Sequence, residues 1–195
     1  HPGRRGSLLR AWLQQLDLAL QERMAALDFY AEFAARNGCE FCCLFGGART
    51  WGPKQLAEFG YVDQVFAEKA AGIFPYTFWH ICGHNLPQAM QALTEWQGLK
   101  AVQYDMPYYS QRLSYPEWFE HVAKLFEGKR CAMNAPTTQL ACHGTADEVR
   151  TMVRDFIDAT LPHTTAVVMP GCEIDSFSPV ENVVAMIQTA RERHA

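Results

Sequence analysis

The chain has 195 residues, 49% of them hydrophobic and 19% charged, a composition that suits one globular domain with a sizeable core. Its formal net charge of -4, with Lys and Arg scattered along the chain, offers no basic field to a nucleic acid. No apolar run approaches the roughly 18 residues of a membrane span.

Residues 1–6, His1-Pro2-Gly3-Arg4-Arg5-Gly6, carry charge with no signal-peptide pattern behind them and read as a disordered leader. Residues 7–195 read as a single α/β domain. The seven cysteines are odd in number and sit mostly in or beside strand-like runs, which argues for reduced thiols and a cytoplasmic protein. Cys39 and Cys42 have C-x-x-C spacing, but no second pair follows to complete a zinc ribbon, and a buried strand explains them as well.

From Ser7 to about Asn37, apolar residues such as Leu9, Trp12, Leu16, Leu20, Leu27, Phe29 and Phe33 recur at steps of three and four. This predicts one or two amphipathic helices closed by Asn37-Gly38. Cys39 to Phe45 reads as a short strand stopped by Gly46-Gly47. Pro53 is placed to start a helix to about Ala71, with Leu56, Phe59, Val62, Val65 and Phe66 on its apolar face. Tyr76 to Cys82 reads as a strand, Leu86 to Gln97 as a helix, and Ala101 to Asp105 as another strand. Pro116 opens a helix to Glu127, stopped by Gly128, and Arg130 to Asn134 is a fourth strand. Thr145 and Glu148 have the form of a capping box and open a helix to about Thr160. Thr165 to Met169 is the last strand, and a second such box, Ser178 to Glu181, opens the closing helix to about Arg193.

About five strands thus alternate with helices and no hairpin signal intervenes, an order that specifies parallel strands with helical crossovers. An open doubly wound sheet and a (β/α) barrel both fit that order. In either, chemistry gathers at the carboxyl ends of the strands, where the sequence places Cys43, His80 with Cys82, Asp105, Asn134, and Cys172 with Glu173.

His80 and Cys82 are two residues apart on one strand, so they share a face at its end. An imidazole and a thiolate so placed are two ligands of a catalytic zinc site. The plain alternative is a half-buried strand in which Cys82 packs as a small hydrophobe. Cys172, at the end of the last strand, would supply a third ligand and leave a fourth position open, as catalytic rather than structural zinc requires.

These residues resemble the uroporphyrinogen decarboxylase superfamily, and within it the corrinoid-dependent thiol methyltransferases of the methylcobamide:coenzyme M type. The resemblance runs from about Pro53 to the C-terminus. It rests on Pro53-Lys54-Gln55, His80-Ile81-Cys82-Gly83-His84, Asn134-Ala135-Pro136, Gly144-Thr145 with Glu148-Val149, and Pro170-Gly171-Cys172-Glu173-Ile174 with Ser178-Pro179-Val180-Glu181-Asn182. It implies a (β/α)8 TIM-barrel-like fold, of which about five strands are here. It also implies a catalytic Zn2+ on His80, Cys82 and Cys172, and methyl transfer between a corrinoid and a small-molecule thiol.

The corrinoid would come as a substrate or on a partner corrinoid protein. Asp105 is then expected to orient a ligand or substrate, and Glu173 to serve as a resting fourth ligand. His84 is a substrate contact, an alternative ligand or a hydrogen-bond partner, and Asn134 lines the cleft. The other histidines, His121, His143, His163 and His194, are expected to face solvent. A partial barrel exposes sheet edges and an apolar interior, so the open side is expected to be covered by further N-terminal chain or by an oligomer partner. A tetrapyrrole decarboxylase and an inactive truncated paralogue are the competing expectations. The decarboxylase would need arginine clamps that the strand ends do not show.

Overall fold

The computed structural model describes residues 2–44, 53–81, 90–91, 93–96, 99–104, 113–134, 143–169, 174 and 176–193. In chain order these form α1 (Pro2–Asn37), β1 (Phe41–Leu44), α2 (Pro53–Ile73), β2 (Tyr76–Ile81), β3 (Ala101–Tyr104), α3 (Tyr115–Leu125), β4 (Arg130–Asn134), α4 (Ala146–Thr160), β5 (Ala166–Met169) and α5 (Val180–Arg193). The strands make one sheet in the order β1-β2-β3-β4-β5, and every pair in it is parallel.

That strand order decides between the two architectures left open by the sequence. A doubly wound sheet reverses direction at a switch point and covers both faces with helices. Here each crossover moves one strand onward in the same direction, and crossovers of constant hand put their helices on the same side. The packing agrees. Trp79 and Ile81 of β2, Val102 and Tyr104 of β3, Cys131 of β4 and Ala166 of β5 share one buried cluster with residues of the five helices given above, among them Leu27, Ala70, Phe119, Phe156 and Ala185. The alternate residues Phe78 and Ala101 form a separate cluster on the other face, with Val167 and Met169 packed against it. This is the singly wound, partial (β/α)8 barrel arrangement, with an outer helical face and an inner face.

β2 and β3 therefore bury both faces, as parallel strands do, whereas β1 and β5, at the ends of the sheet, are only partly buried. The outer core is held by edge-on aromatic packing. Trp79 meets Trp96 at 5.1 Å between centroids, and Phe119 meets Phe156 at 5.3 Å. Burying each such side chain contributes roughly 1.5–3 kcal/mol.

The helix ends follow local chemistry. Gly38, at φ 66, closes α1, and Gly128, at φ 80, follows α3; both are conformations in which a side chain is strained. Thr145 and Glu148 make the expected capping box at α4. A further one, Ser114 with Glu117, starts α3.

Two expectations need correction. Residues 2–6, expected to be disordered, are helical, because α1 already begins at Pro2. Proline suits a first helical position, where its missing N–H is no loss, and extending an existing helix is cheap once its nucleus has formed. The apolar stripe of α1 is also narrower than its sequence suggests. Leu27 and Ala34 are buried, whereas Phe29, Tyr30 and Phe33 are exposed. On α2, likewise, Phe59 and Val62 are buried but Val65 is exposed, and the small Ala67 and Ala70 are buried in the core. An apolar pocket of about 500 Å³ opens between α1 and β1, with Tyr30, Phe33, Phe41 and Phe66 in its wall. No described helix is long and apolar enough to cross a membrane.

Candidate functional site

Strand alternation sends Trp79 and Ile81 to the outer core and leaves Phe78 and His80 for the inner face. On β3 the same alternation separates Val102 and Tyr104 from Ala101 and Gln103. Register then pairs His80 with Gln103 across the two strands. Both are buried, at 1% and 5% exposure.

His80 Nδ1 and Gln103 Oε1 are 3.0 Å apart. An amide oxygen only accepts, so the ring donates through Nδ1–H and its lone pair is on Nε2. The Cys43 thiol on β1 donates to the same Oε1 at 3.6 Å. Oε1 thus accepts from both side chains. Cys43, His80 and Gln103 are each the penultimate residue of their strand, so together they form a polar row at the carboxyl rim of the inner face.

This row has the chemistry of a supported metal ligand. A ligating histidine commonly donates its second ring nitrogen to a fixed acceptor, which sets the tautomer and orients the ring. A neutral imidazole donating from Nδ1 ligates through Nε2. In that form the ring nitrogen with ligand chemistry is Nε2. Gln103 was not among the expected site residues; the signal for it was an amide within the otherwise apolar run Ala101-Val102-Gln103-Tyr104. A buried polar side chain in such a run needs a partner.

Asn134 is the last residue of β4 and stands in register with Met169, the last residue of β5, which places its backbone at the same rim. Cys82 follows directly on Ile81 in sequence and Asp105 on Tyr104, and Cys172 and Glu173 come shortly after Met169. These four and His84 lie outside the described residues. Among the described residues no three His, Cys, Asp or Glu side chains come together as a metal set.

The remaining thiols and imidazoles divide by environment. Cys39 is exposed and Cys42 partly buried, and burial raises the Cys42 thiol above its usual range. Cys131, in the outer core, is pushed up to about 12 by burial, so it stays protonated and unreactive. His121 stacks on Trp118 at 5.6 Å, and His143 is exposed. His163 is only partly exposed and lies 3.8 Å from Glu120, so it is less open to solvent than expected. His194 lies outside the described residues.

No family model and no curated protein sequence matches the chain. Among solved structures it is similar to a methyltransferase from Methanosarcina mazei, with a TM-score of 0.65 at 18% sequence identity. The match covers 88% of this chain and 47% of that one, so this chain spans about half the neighbour's length. A likeness at that identity establishes the shared fold.

Proposed function

We propose that this protein is a zinc-dependent methyltransferase that moves a methyl group between a corrinoid and a thiol of the coenzyme M type. The observation that carries the reading is the His80–Gln103 hydrogen bond at the carboxyl rim, which leaves the imidazole in the form that ligates through Nε2. The fold likeness to a protein named as a methyltransferase supports it, as do the motifs around His80 and Cys172.

In this reading His80, Cys82 and Cys172 hold the ion, with Glu173 as the resting fourth ligand. Zinc, when bound, supplies positive charge that favours the thiolate form of a substrate thiol. The two cysteinates offset part of that charge, which keeps the substrate sulfur electron-rich. Asp105 orients the substrate, and His84 and Asn134 contact it. The thiol proton leaves to solvent, and the sulfur attacks the methyl carbon of a methylcorrinoid substrate. A C–S bond forms and the Co–C bond breaks, with both of its electrons remaining on cobalt as Co(I). The methylcorrinoid comes free or on a partner corrinoid protein, and the inner face of the sheet is covered by further chain or by a partner.

Metal analysis of the purified protein is the first test. Stoichiometric zinc is expected in the wild type, with loss in Cys82→Ala and in Cys172→Ala; full occupancy in both variants would overturn the ligand assignment. Methylcobalamin with a thiol should then release cob(I)alamin, followed by its absorbance. A zinc-loaded protein that releases none with any simple alkyl thiol would remove the methyl-transfer reading.

A further inference from the structure

The polar row on the inner face contains a residue that no zinc-ligand assignment includes. Gln103 neither titrates nor ligates zinc readily, yet it is buried and its side chain is tied to the histidine of the proposed metal set. Burying an amide without partners costs on the order of 1–3 kcal/mol. Its place in the row is therefore sustained by the contacts it makes.

We propose that Gln103 is a positioning residue for the metal site, holding His80 in the Nδ1–H tautomer so that the ring ligates through Nε2, with Cys43 helping to hold Gln103. This inference rests on the zinc reading above.

Three features converge on it. Register makes His80 and Gln103 direct neighbours on adjacent parallel strands, so their contact is built into the sheet and does not depend on a loop. Oε1 accepts from both His80 Nδ1 and Cys43 Sγ, so the Gln103 side chain is held by donors on two strands, β2 and β1. Finally, imidazole in water prefers its proton on Nε2, the opposite of what ligation through Nε2 needs. The hydrogen bond to Gln103 reverses that preference before any metal arrives, and the ion meets a ligand already oriented.

The role can be read without an activity assay. Zinc affinity would be measured on the full chain by chelator competition for the wild type, Gln103→Leu, Gln103→Met and Gln103→Glu. The His80 tautomer would be read from side-chain 15N shifts of the metal-free proteins. Gln103→Leu should bind zinc about 10- to 100-fold more weakly and move the His80 proton toward Nε2. Gln103→Glu keeps an acceptor and should retain both the affinity and the Nδ1–H tautomer. Gln103→Met, unbranched and close to glutamine in length, serves the same purpose should the leucine variant fail to fold. Wild-type affinity together with an unchanged tautomer in the apolar variant would overturn the proposal. If the wild type itself takes up no zinc, the zinc reading fails. The tautomer shift in metal-free protein then still decides whether Gln103 sets the His80 proton.

Discussion

The Arg23 guanidinium on α1 lies 2.9 Å from the carboxylate of Asp63 on α2, whose side chain is fully buried while that of Arg23 is 30% exposed. The same guanidinium sits 4.4 Å above the Phe66 ring. This pair fastens the leading helix to the first crossover helix. Removing one partner of a buried ion pair leaves the other charge short of its counter-ion, a loss of several kcal/mol at full burial. With Arg23 open to solvent in part, we expect Arg23→Ala to cost about 2–3 kcal/mol. The second pair between these helices, Lys69 with Asp28 at 2.6 Å, is more exposed, and Asp28→Ala should cost less than about 1 kcal/mol. Urea unfolding of the two variants measures the contrast, and equal losses would contradict it.

At the start of α4, Thr145 Oγ1 accepts from the Glu148 backbone N–H at 3.3 Å, and the Glu148 carboxylate accepts from the Thr145 N–H at 2.7 Å. Thr145→Ala should cost about 1 kcal/mol, the usual worth of such a cap. The hydrogen bonds from Thr145, that of its backbone first, hold the Glu148 carboxyl below its ordinary value of 4.5. A carboxyl depressed in the folded state stabilises above its unfolded pKa and loses that contribution as pH falls through the folded one. The stability gap between wild type and Glu148→Gln should therefore be full at neutral pH and narrow progressively below about 4.5. A gap that stays constant down to pH 2 would show that the carboxylate form is not what α4 uses.

Much of the fold is legible in single segments. The start of β4 and the cap at Thr145 match the sequence reading because Gly128 and the Thr-x-x-Glu pattern act locally. The order of the strands was not legible, since the crossovers decide which strands become neighbours, and a βα pattern reads the same in both architectures. Phe29 and Phe33 show a different limit. A 36-residue helix carries apolar residues on more than one side, and a three-and-four spacing cannot tell which side the next element will cover. At the site, His80 stood out because its residue type is rare in a strand. Gln103 did not, because its meaning comes from the register that sets it beside His80.

Asn182 in α5 is buried and donates through Nδ2 to the Gly144 carbonyl at 2.9 Å. That bond fixes the closing helix to the segment that leads into α4, the helix it packs against. Asn182→Ala removes the donor and leaves the carbonyl short of a partner, at a cost of about 1–2 kcal/mol. Asn182→Asp should be worse, because it turns a carboxylate toward a carbonyl oxygen where an N–H stood. Thermal unfolding should rank wild type above Ala and Ala above Asp; an aspartate variant as stable as wild type would remove the bond from the account of how α5 docks.

Cys131 makes the core itself sensitive to alkali. Its thiol is pushed up to about 12 by burial, from an ordinary 9.0, so the folded state keeps a proton that the unfolded chain releases. A raised pKa contributes stability that is full below pH 9 and is lost as pH rises toward 12, on the order of 4 kcal/mol at about 1.4 per unit. Tyr104 adds in the same direction, because burial, and then the charge of an ionised Cys131, raises its phenol well above 10. We expect the urea midpoint to fall steeply above pH 9. Cys131→Val, which removes one of the two titrations, should fall less steeply. The same burial predicts that a thiol reagent at pH 8 modifies the exposed Cys39 in the native protein and reaches Cys131 only in denaturant. Rapid native labelling of Cys131 would mean that the outer core opens to solvent, and the alkaline prediction would fall with it.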